Sequence, residues 1–347
     1  MGKADIKMNE CLKDTKRYAD CFNTATGSSL ISPNELVEME RILEGSVVFP
    51  KTTVYYKKER DTIRGIRSTN DAICAIVCIE NQTDIHYAEA ANHLIYDAYN
   101  YNKQLTDIRK KHEELHEEQY KNEQIQEQVQ ELSTASVQVS KNTYSYRGFS
   151  PDDRLLPVLT VCVYYGEDPW NAPTSLTDLM DFSGFSKKKA RLWKKYIQNY
   201  KIIVLDIRRM SKEQIEHMTS DLKLLFGMLK YADDKDELQT FIHQHEDETN
   251  HLKKDLADAF SLLSGTAGLN KYLNKNKNKG GETVKMCKAI NDMIKEGETR
   301  GEARGEARGE TKGRYNTFIE LLKDNLISLE EAAKRLNMSE ETLRKQL

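Results

Sequence analysis

Glu80 stands where its surroundings argue against a charge. The run from Ala72 to Ile79 is apolar at every position and ends on this carboxylate. A charge beside such a run is costly unless it meets solvent, a partner or a metal, although strands also end in polar residues simply because they emerge there. Gln82 follows two residues on, so an extended chain places it on the face of Glu80, with the Asn81 carbonyl between them. Asp61 opens the preceding run, RDTIRGI, and a turn over Arg67 to Asp71 would pair the two runs antiparallel. That pairing brings Asp61 near Glu80. Two carboxylates and a carbonyl are the hard oxygen ligands that Mg²⁺ takes.

Other groups signal less. The segment H-E-E-L-H at His112 to His116 has the spacing of a zinc-protease helix, but KK and EEQY flank it. A catalytic zinc helix needs a dry, shaped cavity and a third ligand, whereas this helix is polar all round. His86 and His93, seven apart on one helix face, read as packing or surface residues. The six cysteines, at 11, 21, 74, 78, 162 and 287, form no C-x-x-C pair. They read as reduced, mostly buried thiols, and no zinc is expected.

The elements that must position these groups follow from periodicity. Residues 5 to 23 read as a helix ending near Asp20, ahead of a loop from Thr24 to Ser29. From Val47 the period becomes that of strands, in VVF, TTVYY, DTIRGI and AICAIVCIE, a meander whose last member reads as a central strand covered on both faces. Thr83 and Asp84 are candidate caps for a helix with Ala88, Ala91, Ile95, Ala98 and Tyr99 on its inner face. Lys110 to Gln138 is rich in Glu, Gln and Lys, and reads as an exposed helix or a mobile excursion. Strands return at Leu155 to Gly166 and Lys201 to Ile207. Interleaved strands and helices predict an α/β domain over residues 1–265, with a polar helical insert at about 110–150.

Residues 266–313 read as a polar linker. Gly268 to Gly281 is rich in Asn, Lys and Gly, and Gly297 to Gly313 repeats a Gly-Glu-x-Arg unit that is either a marginal helix or a flexible spacer. Residues 314–347 resemble a helix-turn-helix: Ala333 sits where two helices approach, Asn337 can take a left-handed turn and Leu343 packs inward. Its second helix, Ser339 to Gln346, offers Arg344 and Lys345 as candidate DNA contacts, while Glu340 and Glu341 would repel phosphate. A packing or homo-oligomerisation unit is the alternative.

The spacing Asp61-x18-Glu80-Asn81-Gln82, followed by TDIHYAEAANHLIYDAYNY, resembles the acidic strand, E-x-Q strand end and following helix of the recombination-promoting nuclease and putative transposase family, within the PD-(D/E)XK nuclease superfamily. LLPVLTVCVYYGE and the Gly-Glu-x-Arg tail are similar to it too, so the likeness spans about Met1 to Tyr231 and the tail. The resemblance implies a mixed central sheet flanked by helices, with a helical C-terminal extension. It implies Mg²⁺ or another divalent cation held by Asp61, Glu80 and the Asn81 carbonyl, and hydrolysis of phosphodiester bonds in DNA. The superfamily's water-orienting Lys is replaced by Gln82, a neutral amide, and Arg60 stands where the superfamily often has Pro. Asp20 is a candidate for the first-helix accessory acid, set against the ordinary reading of an exposed helix carboxylate.

With 347 residues, 31% of them charged, a mean hydropathy of -0.71, a net charge of -3 and a pI near 6.3, the chain has no global basic field. DNA contact must therefore be local. No run approaches the roughly 18 to 20 apolar residues needed to cross a bilayer, and MGKADIKMNE lacks the apolar stretch of a signal peptide, so a cytoplasmic protein without a membrane partner is expected. The function expected is a metal-dependent DNA endonuclease of recombination or mobile DNA. The rival is a catalytically weak or inactive nuclease-fold module that binds DNA or protein.

Overall fold

The computed structural model describes residues 2–49, 52–130, 148–266 and 268–345. The N-terminal helix expected over residues 5 to 23 is two helices, α1 (Lys3–Cys11) and α2 (Thr15–Thr26). The break has a local cause. Asp14 accepts from the backbone amides of Lys16 and Arg17 at 2.9 and 3.3 Å, capping α2. Helix α2 runs past Asp20 until Gly27 takes a left-handed conformation at φ 64°.

Strands β1 (Leu36–Glu38), β2 (Ile42–Phe49), β3 (Thr52–Glu59), β4 (Thr62–Arg67) and β5 (Ile73–Gln82) follow, and the expected meander is present. It divides in two: β2 and β3 pair with each other, whereas β1, β4 and β5 join the central sheet. Helix α3 (Glu89–Gln130) leads to β6 (Val158–Tyr164), α4 (Lys187–Tyr196) and β7 (Ile203–Asp206). The sheet order is β1-β4-β5-β6-β7, antiparallel from β1 to β5 and parallel from β5 to β7. A mixed sheet flanked by helices is the expected architecture.

Alternation along β5 gives the sheet two unlike faces. Val77 and Ile79, with Val161 and Val163 of β6, enter the large core beneath α1 and α2, where the Tyr18 hydroxyl donates to the Val77 carbonyl at 2.9 Å. Ile76 and Cys78 turn the other way, beside Ile63 in a small cluster, and the same parity carries Glu80 to the α3 side. Helix α3 starts at Glu89, later than Thr83 and Asp84 implied. The expected inner face is also corrected: Ala88, Ile95 and Ala98 are exposed, and Glu89, Ala90, His93, Asp97 and Asn100 are buried. The reason is the partner surface. Glu80, Thr160 and Arg60 make that side of the sheet polar, so the helix buries the groups that pair with them.

The polar tract continues α3 as helix to Gln130, exposed over nearly all of residues 110–118; its remainder, 131–138, lies outside the described residues. After β7 the chain forms α5 (Lys212–Glu216), α6 (Leu222–Lys230), α7 (Lys235–Gln244), α8 (Glu246–Thr249), β8 (Leu252–Lys253), α9 (Lys254–Leu263), α10 (Leu269–Lys275) and β9 (Thr283–Val284). Leu269, Tyr272, Leu273, Val284, Met286 and Ile290 belong to the main core. The stretch expected to begin a linker at residue 266 therefore still builds the core, because apolar side chains interleave its Asn and Lys.

Helix α11 (Met286–Lys323) then leaves the core and carries the glycine repeat without interruption. The end packs separately: Ala332 and Ala333 of α12 (Leu329–Leu336) and Leu343 of α13 (Glu340–Arg344) bury against Tyr315, Ile319 and Leu322 of α11. Asn337 takes the expected left-handed turn at φ 54°. No helix among the described residues is long and apolar enough to cross a membrane.

A Cβ added at Gly301, Gly305 or Gly309 meets open space. Replacing all three with Ala should stabilise α11 by about 1 kcal/mol per site, read as raised helical ellipticity with an unchanged core melt. A fall in helicity would contradict a continuous helix.

Candidate active site

The β4–β5 hairpin sets the site. Ser68 closes the turn by accepting from Asp71 and donating to Ala72, Asp71 sits at φ 66°, and Thr62 pairs with Ile79. Asp61 therefore comes to lie beside Glu80. Its Oδ2 accepts from the Asn81 amide at 2.8 Å, and its own amide helps hold the Glu80 carboxyl. Burial, and then the charge of Glu80, push the Asp61 carboxyl up to about 7. Burial likewise raises Glu80, with Arg60 working against it.

Arg60 is fully buried and holds the arrangement from behind. Its Nε donates to Glu80 Oε1 at 2.7 Å, Nη1 lies 3.2 Å from Asp97 Oδ1 and Nη2 donates to Thr160 Oγ1 at 2.8 Å. Asp97 is itself completed by Thr160 at 2.6 Å and by the Tyr200 hydroxyl at 2.5 Å. One guanidinium thus joins β4, β5, β6 and α3.

Of the residues singled out in the sequence, Asp61, Glu80, Asn81 and Gln82 come together at the ends of β4 and β5. The Asn81 side chain turns toward α1, where Nδ2 donates to Asn9 Oδ1 at 2.6 Å, and its own Oδ1 is buried without a hydrogen bond. Gln82 Nε2 donates to Glu89 Oε1 at 3.3 Å. Asp20 is neither exposed nor part of this group. Its carboxylate accepts from the Thr219 and Ser220 amides at 3.1 and 2.8 Å and so anchors the loop before α6. From the first helix it is Asp5 and Asn9 that act on Asp61, one by its charge and the other by a hydrogen bond. Asp5 also accepts from the hydroxyls of Tyr165 and, at 3.1 Å, Thr83. Gly166 permits this convergence, since a Cβ there would lie 2.4 Å from the Thr83 carbonyl oxygen. A cleft of about 420 Å³ opens on the Asp61 side, lined in part by Asn9, Lys13, Arg41 and Arg64.

His112 contacts Asp153 at 3.2 Å and His116 is exposed, so H-E-E-L-H builds no shared site among the described residues. At the C-terminus, Arg344 is exposed, and Lys345 Nζ bonds Glu341 at 3.0 Å on a five-residue helix with acids in its first turn. A stronger basic surface went unread in the sequence. Helix α4, KKKARLWKKY, carries six basic residues and no acid, and buries nothing. Leu192, Trp193 and Tyr196 are 55%, 49% and 72% exposed. Phe182 and Phe185 brace the helix through Trp193, Lys189 and Lys194. The signal was present as basic residues interleaved with aromatics.

Residues 141–257 match the model of the family described as putative transposase, YhgA-like, a PD-(D/E)XK nuclease-like transposase family. The family resemblance is borne out on this segment, about a third of the chain, which holds LLPVLTVCVYYGE, β6, α4 and β7; Asp61 to Gln82 and the Gly-Glu-x-Arg tail lie outside it. No curated protein and no solved structure matches the chain.

Arg60→Met removes one partner of a buried pair and should cost about 3–5 kcal/mol in urea denaturation. A loss below about 1 kcal/mol would show that Glu80 and Asp97 do not depend on it.

Proposed function

We propose that the protein is a divalent-metal-dependent DNA endonuclease of mobile DNA, with Asp61, Glu80 and Gln82 at its active centre. The family match supports the association with mobile DNA and a nuclease-type hydrolase. The observation that carries the finer reading is the apposition of Asp61 and Glu80, each with a raised carboxyl pKa, at adjoining strand ends. Arg60 offsets one charge, and the negative charge that remains fits a cation with hard oxygen ligands.

Asp61 and Glu80, with the Asn81 carbonyl, would hold Mg²⁺, which when bound supplies charge neutralisation at the scissile phosphate. Arg60 keeps Glu80 aimed through a bond that solvent does not reach. Gln82 spends its amide nitrogen on Glu89, which leaves its carbonyl oxygen to accept a hydrogen bond from a water and orient it. Helix α4 offers basic side chains to the phosphates of the substrate and exposed aromatic faces to any unpaired base.

A second reading rests on the same bonds. Glu80 is already paired with Arg60, and Gln82 brings no positive charge, an arrangement equally suited to a nuclease fold that holds DNA without cutting it.

Incubation with supercoiled plasmid separates the two. Mg²⁺-dependent nicking is expected, reduced on the order of a hundredfold in Asp61→Asn; DNA binding with no cleavage under any divalent metal would establish the second reading. The same variant has a thermodynamic signature. The folded state binds the Asp61 proton more tightly than the unfolded chain, so metal-free stability rises as pH falls from about 7 toward the ordinary carboxyl range. The metal-free melting temperature of Asp61→Asn should therefore exceed that of the parent at about pH 8, and the gap should close near about pH 5. An equal gap at both pH values would refute the assigned ionisation.

Substituting Glu for Lys187, Lys188 and Lys194 should weaken DNA binding and lower the slope of log affinity against log salt by about one for each lysine. An unchanged slope would remove α4 from the interface.

A further inference from the structure

On the α3 side of the sheet, Glu89, His93 and Cys162 bring a carboxylate oxygen, a ring nitrogen and a thiol sulfur within 4.8 Å of one another. All three residues are buried, His93 completely. Glu89 and His93 are one helical turn apart on α3, and Cys162 meets them from β6, where it is the register partner of Glu80. We infer that these three side chains form a second metal site, distinct from the oxygen ligands of Asp61 and Glu80, and of the type that takes Zn²⁺ or a similar borderline cation.

The imidazole argues most strongly for this. Its Nδ1 is buried with no hydrogen-bond partner, and Nε2 has only the Glu89 carboxylate, at 3.1 Å. Buried polar groups without partners are rare and call for an explanation such as an ion. The donor set agrees: thiolate, imidazole and carboxylate together suit Zn²⁺ or Co²⁺, whereas Mg²⁺ takes oxygen. An outer layer is present as well. Gln82 Nε2 and Asn92 Nδ2 reach the Glu89 carboxylate at 3.3 and 3.4 Å and restrain it. Three protein ligands leave a fourth coordination position open.

The expectation of no zinc rested on the cysteine spacing and on H-E-E-L-H, and neither bears on ligands drawn from a helix and a strand far apart in sequence. Gln82 connects the two sites, for it lies in the E-x-Q motif and bonds Glu89.

The test is titration of the full-length protein with Co²⁺ after stripping with chelator. One equivalent should bind with a thiolate-to-cobalt charge-transfer band, and Zn²⁺ should displace it. His93→Gln should weaken binding at least about tenfold, and Cys162→Ser should abolish the band. Asp61→Asn should leave the band intact, so a failure of the nuclease reading would not affect this result. If Cys162→Ser does not fold, Glu89→Gln takes its place and should weaken binding in the same way as His93→Gln. Absence of a thiolate band in the folded parent, or a band unchanged in the His93 and Glu89 variants, overturns the assignment.

Discussion

The structure hangs on one buried cation. A guanidinium with no exposure to water survives in a protein interior only when its donors are taken up, and Arg60 binds the carboxylates of Glu80 and Asp97 and the hydroxyl of Thr160. Each acceptor comes from a different element, so the requirement that Arg60 be satisfied fixes how α3 lies across β5 and β6. It also explains why a helix beside a strand apolar over Ala72 to Ile79 buries a polar face. Glu80, which closes that strand, would be too costly in the interior without Arg60, and it is poised beside Asp61 because of it.

Much of the fold was legible because periodicity and burial coincide. The strands around Ile63, Val77, Val161 and Leu205 were visible as short β-branched runs, and the left-handed Asn337 and inward Leu343 could be placed from the tail pattern alone. Local pattern misleads where a tertiary partner decides. Nothing apolar marks Asp14 as a cap that splits the first helix, and Ile95 and Ala98 of α3 point away from the face it buries because the opposing surface is polar. The polar stretch after residue 266 looked like a linker because its charges outnumber Leu269, Tyr272 and Leu273, yet those three suffice to bind it to the core.

The candidate site was legible in part. Alternation in β5 and a short turn were enough to bring Asp61 toward Glu80. Arg60 was in view but carried no signal, because an arginine beside an acid is ordinary on a surface and exceptional only once buried. Asp20 shows the reverse: its type and helix matched an accessory role, and its hydrogen bonds to the 219–220 loop account for its burial. His93 looked like a packing residue, and only the fold reveals that its Nδ1 is buried without a partner while its Nε2 faces Glu89 and Cys162.

The unbroken course of α11 has a metric consequence. Between Glu298, whose carboxylate still pairs with Lys235 of α7, and Arg314, whose guanidinium donates to the Arg335 carbonyl of α12, the axis advances by about 24 Å at the α-helical rise. The repeat is thus a ruler that sets the distance of the terminal three-helix unit from the core. Its graduation is one Gly-Glu-x-Arg unit: gaining or losing a unit moves the far end by about 6 Å and rotates it by about 40°. Repeat number would then act as a vernier on both reach and heading, at no expense to either packed body.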